Sequence, residues 1–202
     1  MALWFTADWH LGETRFEIMQ RPFKSVDNHI NTLVERHNSL VGPDDEVLVV
    51  GDAVYQNADN KYLEYIDRFN GRKTLIRGNH DRKFSLLELY CYFDNVVEEG
   101  DGLAVDACGI NCWVTHYPSQ GRPDLFNLVG HVHGAWKYQL NMFNVGVDAN
   151  HFYPTPAERI PFHFDAVVKY YDGDIWIAYD ERNSQYRESR GKKSFYFQKP
   201  TA

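Results

Sequence analysis

The chain has 202 residues, 44% of them hydrophobic and 24% charged, which fits one globular domain, with or without a short appendage, and excludes a disordered chain. The net charge of −7 argues against a general nucleic-acid coat, which needs clustered Lys and Arg. A phosphate substrate stays open, because bound cations reverse the local field of an acidic pocket.

No stretch approaches the ~20 apolar residues of a membrane span, and Met1 to Asp8 lacks the basic start and long apolar run of a secretory leader. Cys91, Cys108 and Cys112 are an odd set without a Cys-x-x-Cys. They read as reduced thiols, core or partly buried, in a cytoplasmic protein, and no Cys108/Cys112 metal pair is expected.

Residues 2–7 predict a buried strand that ends at Asp8. Val26, Ile30, Leu33, Val34 and His37 recur at helical spacing, so a helix is expected over about 25–41 with Ser25 as N-cap, broken by Gly42-Pro43-Asp44-Asp45. A second apolar strand runs from Glu46 to Val50 and ends at Gly51-Asp52. A helix over about 59–69 follows, with Leu63, Ile66 and Phe69 on one face, and Asn70-Gly71 makes a turn. Lys73 to Arg77 is a third strand, ending at Gly78-Asn79-His80-Asp81. Strand–helix–strand–helix–strand is the pattern of α/β units.

The second half is strand-rich. Short strands are expected at 94–98, 103–106, 109–115, 125–130 and 142–147, too closely spaced for helical crossovers, so antiparallel or mixed pairing is expected. Ala157 to Arg159 predicts a helical turn, 164–171 a short helix and 174–179 a strand. From about 181 the composition shifts: over 181–200 six basic side chains stand against Glu181 and Glu188, interleaved with Tyr186, Phe195, Tyr196 and Phe197. This segment reads as a C-terminal strand or arm packing on the domain; the alternative is a contact for nucleic acid or a partner subunit.

Five of the nine histidines fall in a short series: Asp8-Trp9-His10, Gly51-Asp52, Gly78-Asn79-His80-Asp81, His116 after strand 109–115, and Gly130-His131-Val132-His133. Each closes an expected strand, and strand carboxyl ends are where α/β folds build ligand sites. In extended backbone, residues i and i+2 share a face. Asp8 and His10 can then grip one metal with Trp9 turned away, and His131 and His133 reach a site jointly or divide between two ions. Gly51, Gly78 and Gly130 precede ligand positions and permit close backbone approach. Taken singly, each has a plainer explanation: Asp-x-His as a capped turn or surface pair, Gly-Asn-His-Asp as a turn held by its own side chains. The joint occurrence, in order and at strand ends, is what points to a metal site.

These residues make the chain resemble the calcineurin-like metallophosphoesterase superfamily, and its short bacterial and phage-type members most. The similarity runs from Asp8 to His133 and continues more weakly through Asn144-Val145-Gly146-Val147-Asp148. The resemblance implies an α/β fold, a four-layer α/β/β/α sandwich of two mixed sheets with flanking helices, over residues 1–180, with 181–202 as the basic, aromatic arm. It implies two divalent metal ions, Mn²⁺ foremost, with Fe, Zn²⁺ or Ni²⁺ as alternatives. Asp8, His10, Asp52 and His133 would hold one ion. Asp52 would bridge to the second, completed by Asn79, His116 and His131. His80 would protonate the leaving oxygen or steady the phosphate, and Asp81 would orient His80.

The activity this implies is hydrolysis of a phosphate ester by in-line attack of a hydroxide shared between the ions. A phosphodiester is preferred, a nucleotide or cyclic nucleotide among the candidates. A phosphomonoesterase is the nearer alternative and a non-catalytic scaffold the farther one. The expected partner is a small phosphoester; polymeric nucleic acid is suggested only by the C-terminal arm, and no membrane is expected. Arg15, Arg21, Arg82 and Arg122 lie near motifs as surface residues or phosphate clamps, and Tyr55, Tyr117 and Trp136 as core or pocket walls. Substrate-binding residues and oligomeric state are not legible.

Overall fold

The structure, a computed structural model, describes residues 1–171. Its strands are β1 (Leu3–Thr6), β2 (Glu46–Val49), β3 (Arg72–Ile76), β4 (Asn95–Val97), β5 (Leu103–Ala107), β6 (Ile110–Thr115), β7 (Phe126–Val129), β8 (Tyr138–Gln139), β9 (Met142–Asn144) and β10 (Thr155–Pro156). Strands β1 to β4 are parallel neighbours in sequence order, and β10 pairs antiparallel with β1. The second sheet has the order β5-β6-β7-β9-β8.

Strand alternation divides the core in two. Trp4, Val47, Val49 and Leu75 face Ile30 and Leu33 of helix α1 (Val26–Asn38). Phe5, Leu48 and Ile76 face Cys112, Val114, Phe126 and Leu128 of the second sheet. The central strands of the first sheet are thus buried on both faces, which is why they read as continuous apolar runs. Two mixed sheets packed face to face with flanking helices make the α/β sandwich that the resemblance implied. Among the described residues no helix is long and apolar enough to cross a membrane.

The second sheet is mixed: β5–β6 and β8–β9 are antiparallel, whereas β6–β7 and β7–β9 are parallel. Parallel pairing is reached here without α-helical crossovers, through the segments 116–125 and 130–141, the second of which carries β8. The buried Asn127 amide makes this possible: it donates to the carbonyls of Arg122, Leu125 and Asn141 and accepts the Arg122 N–H. Strand β9 stops at Asn144, short of the expected 147, and the chain changes sheets there. Val145 N–H still donates to Val129, but Gly146 pairs with Ala7 and Val147 N–H donates to the Ala7 carbonyl.

Other differences are local. The helix expected over 59–69 is a 3₁₀ helix, Asn60–Arg68, opened by Asp59 accepting the Lys61 N–H. Helix α1 ends at Asn38, its last turn closed by the Ser39 N–H on the Glu35 carbonyl. A short helix α2 (Leu86–Leu89) was not expected, although its Ser85–Glu88 capping box is a readable signal. The turn at Ala157–Arg159 runs into helix α3 (Ile160–Tyr171), which starts four residues before the expected 164 because Pro161 sits in its first turn, where no N–H donor is needed. Of the three thiols only Cys112 is buried; Cys91 and Cys108 are exposed on their turns and all three are free. The strand expected at 174–179 and the arm 181–202 lie outside the described residues.

Candidate metal centre

Asp8 follows β1, Asp52 follows β2, Asn79 follows β3, His116 follows β6, and His131 and His133 follow β7. The two sheets bring these strand ends to one place, but not by extended backbone. Asp8 (φ 61°), His10 (φ 50°), Asp52 (φ 55°), His131 (φ 71°) and His133 (φ 49°) are all left-handed. The expectation that Asp8/His10 and His131/His133 converge through strand alternation is therefore corrected: each pair is turned inward by left-handed residues. Such conformations cost about 1–3 kcal/mol each for non-glycine residues and persist where the surroundings over-determine them. Trp9 does point away, stacked on Phe69 at 4.1 Å.

Ligand atoms of Asp8, His10 and His133 lie within 4.8 Å of one another, as do those of Asp52, His116 and His131 and those of His10, Asp52 and His80. Asp52 joins the groups: its Oδ2 is 3.4 Å from His10 Nε2, 3.4 Å from His116 Nε2 and 3.9 Å from His80 Nε2. Asn79 Oδ1 is 3.4 Å from His116 Nε2. The Asp8 carboxylate accepts the His131 N–H and so ties the two sheets across the site. Two glycines make room for this crowding. A Cβ on Gly51 (φ 84°) would stand 2.2 Å from His116 Nδ1, and one on Gly78 would stand 2.3 Å from Asp52 Oδ1.

The rings are aimed. His116 Nδ1–H donates to the Val50 carbonyl at 2.8 Å, leaving Nε2 toward Asp52. His133 Nδ1–H donates to Asp148 at 2.8 Å. His80 Nδ1 accepts the Gln56 N–H at 3.1 Å, so a neutral His80 carries its proton on Nε2, the atom facing Asp52. The hydrogen bonds of the Asp81 carboxylate go to backbone rather than to the His80 ring it was expected to orient. That carboxylate is fully buried and accepts the N–H groups of Asp52, Ala53 and Gly78, so it fixes the two strand-end turns instead.

The electrostatics fit a cation. Burial pushes the Asp8 carboxyl up to about 6 and His10 down to about 4. Burial also opposes the Asp52 charge, but contacts with His10 and His116 outweigh it and hold that carboxyl well below the usual range. Among the described residues both ring nitrogens of His10 are buried without a well-formed hydrogen bond, Nε2 having only the Asp52 carboxylate at 3.4 Å, which an uncompensated site does not tolerate cheaply. Carboxylate oxygens, imidazole nitrogens and one amide oxygen form a donor set that suits divalent transition metals.

The four arginines near the motifs are each held by an acidic side chain: Arg15 by Glu13, Arg21 by Asp148, Arg82 by Glu99 and Arg122 by Asp124. Arg21 is buried, not a surface residue. Arg15 also covers the Tyr55 ring at 4.7 Å. Tyr55 packs beside His10 and His80, and Tyr117 beside His116 and His131; Trp136 contributes its carbonyl, which accepts from Asn144. Sequence reasoning gave no role to Glu13, to the Gln56 backbone or to the Asp148 carboxylate. No local pattern marks the first two, and Asp148 was visible only as the end of a weak similarity.

A family model described as calcineurin-like phosphoesterase matches residues 1–145. The "Gene 66 protein" of Mycobacterium phage L5 is 38% identical over 80 residues, 39% of this chain and 39% of that protein. An uncharacterized protein of Methanocaldococcus jannaschii is 27% identical over 119 residues, 56% of this chain and 66% of that one. The matched stretch thus spans less than two thirds of either relative. Among solved structures, that of a protein of unknown function from Aquifex aeolicus superposes with a TM-score of 0.62 at 22% identity, covering 80% of this chain and 98% of the other; at that identity the likeness speaks for the fold alone.

Proposed function

The chain belongs to the calcineurin-like phosphoesterase family, and from that membership we propose that it hydrolyses phosphate esters at a dinuclear centre, phosphodiesters in preference to monoesters. The observation that carries this reading is the place of Asp52 Oδ2, 3.4 Å from the Nε2 atoms of both His10 and His116. A carboxylate oxygen set between two imidazoles is what a bridging ligand requires.

In this reading Asp8, His10, Asp52 and His133 hold one ion, and Asp52, Asn79, His116 and His131 the other. Mn²⁺ is the first choice, with Fe, Zn²⁺ and Ni²⁺ as alternatives. When bound, two such ions supply the Lewis acidity that draws the pKa of water toward neutrality and offsets charge on phosphoryl oxygens. His80 holds a proton at Nε2, with Nδ1 occupied by the Gln56 N–H; in this neutral form it would hydrogen-bond a phosphoryl or leaving oxygen, and acting as the acid would require the ring to gain a second proton at Nδ1 first. Asp81 holds the turns that carry Asp52 and Asn79.

The diester preference rests on charge. Among the described residues, Arg15, Arg82 and Arg122 near the motifs are each paired with a carboxylate, and we read this as favouring the single negative charge of a diester over the second charge of a monoester. The three free thiols accord with the cytoplasmic setting proposed for the protein. The test is turnover of matched aryl phosphate mono- and diesters by the Mn²⁺-loaded protein. Faster turnover of the diester is expected; faster turnover of the monoester would overturn the preference.

A further inference from the structure

Arg21 is a buried guanidinium whose five N–H donors all find acceptors. Nε donates to Asp148 Oδ1 at 2.8 Å, and one terminal nitrogen donates to Asp148 Oδ2 at 2.8 Å and to the Asp8 carbonyl at 2.6 Å. The other donates to the Trp9 carbonyl at 3.0 Å and to His29 Nε2 at 3.0 Å. The Arg21 side chain is 0% exposed and that of Asp148 8%. Asp148 Oδ2 also accepts the His133 Nδ1–H at 2.8 Å. One ion pair therefore grips the backbone of the Asp8–Trp9 turn on one side and the ring of His133 on the other.

The fold brings the pair together from distant sequence. Arg21 lies in the segment before α1, its N–H on the Phe16 carbonyl. Asp148 arrives because the chain crosses from β9 to pair at Ala7, in a turn held by Asn150, whose amide donates to the Asn144 and Gly146 carbonyls. A buried ion pair is poor evidence for stability, since apolar replacements often do as well. What this one does that an apolar pair cannot is hold the Asp8–Trp9 backbone that leads into His10 and, at the same time, the ring of His133. His116 is aimed differently, by the Val50 carbonyl.

We propose that Arg21 and Asp148 are positioning residues chiefly for one of the two metal subsites, that of Asp8, His10 and His133; none of their side-chain hydrogen bonds among the described residues reaches Asn79, His116 or His131. This rests on the dinuclear reading above. A carboxylate on the far nitrogen of a metal-binding imidazole fixes its tautomer and orientation, and losing such a partner lowers metal affinity about 10–100-fold. Being compensated by Arg21, Asp148 does this without adding net charge to the site.

The experiment is Mn²⁺ titration of metal-free protein by calorimetry, for the parent, Asp148→Asn, Arg21→Lys, His133→Ala and His131→Ala. The parent is expected to bind two ions. Asp148→Asn should weaken one of them about 10–100-fold, keep the other, and match His133→Ala rather than His131→Ala; excess Mn²⁺ should restore its turnover. Arg21→Lys should behave alike, and if it fails to fold, Asp148→Asn, nearly isosteric, decides alone. Equal weakening of both ions, or unchanged binding with only a lower melting temperature, would overturn the proposal. A parent that binds a single ion would overturn the dinuclear reading itself, a result visible before any variant is compared.

Discussion

The Asp81 carboxylate accepts the backbone N–H of Asp52 at 2.8 Å, joining the turn after β3 to the turn after β2. The same carboxylate accepts the N–H groups of Ala53 and Gly78, so it organises the most crowded part of the site through backbone. Asp81→Ala would leave three buried donors unpaired, at about 1–3 kcal/mol for each. Taking about 3 kcal/mol as a lower bound, the melting temperature should fall by roughly 6–12 °C, and Mn²⁺ should bind more weakly. Thermal unfolding with and without Mn²⁺ measures both; an unchanged midpoint would contradict this role.

In the proposed reading His80 acts on substrate, although its ring also lies in a group with His10 and Asp52 that could hold metal. His80→Ala should retain two Mn²⁺ per chain by metal analysis and lose roughly 10²–10⁴-fold in turnover. Full turnover in the variant would contradict any role for His80 in the reaction.

Gly78 is a matter of space. A methyl there would stand 2.3 Å from Asp52 Oδ1 and 2.8 Å from His116 Nε2. Gly78→Ala should fold, with a native-like circular dichroism spectrum, yet bind Mn²⁺ far more weakly than the parent. Parent-like binding would mean that the Asp52 carboxylate has freedom that the geometry denies it.

His37 gives a pH dependence remote from the metals. It is buried under Trp9 and Phe69, bonded to the Asn70 carbonyl, and burial pushes it down to about 4, against ~6.5 in an unfolded chain. Between those values the unfolded state binds the extra proton, so the stability is fully present above pH 6.5 and is lost as pH falls toward 4. The loss is on the order of 3 kcal/mol at pH 4. Urea midpoints of metal-free parent and His37→Gln, compared from pH 7 to 4, should show a shallower acid limb in the variant; parallel limbs would contradict the assignment.

How far the sequence carried this picture depended on the range of the interactions. The parallel strands before Asp8, Asp52 and Asn79 were legible because burial on both faces leaves uninterrupted apolar runs. Ser25 and the helix behind it were legible through spacing. The ligand candidates were legible as types in order, but not their geometry: left-handed φ at Asp8, His10, Asp52, His131 and His133 is imposed by neighbours from other strands and leaves no local pattern. The parallel β6–β7 and β7–β9 pairings were hidden because short connections without α-helices read as antiparallel, and the buried Asn127 amide that ties both connections to β7 leaves no local pattern. Arg21 looked like a surface cation because its partner Asp148 is 127 residues away, and the backbone contacts of the Asp81 carboxylate with Asp52 and Ala53 were hidden for the same reason, the role expected for it having come from the resemblance alone.

The central claim is that two ions sharing Asp52 make one phosphoesterase site. It is tested most directly by following hydrolysis of an aryl phosphodiester while Mn²⁺ is titrated into the metal-free protein and into Asp52→Asn. Turnover should appear only with the second equivalent of Mn²⁺ per chain and be absent from Asp52→Asn at any loading; activity complete at one equivalent, or retained in Asp52→Asn, would contradict the account.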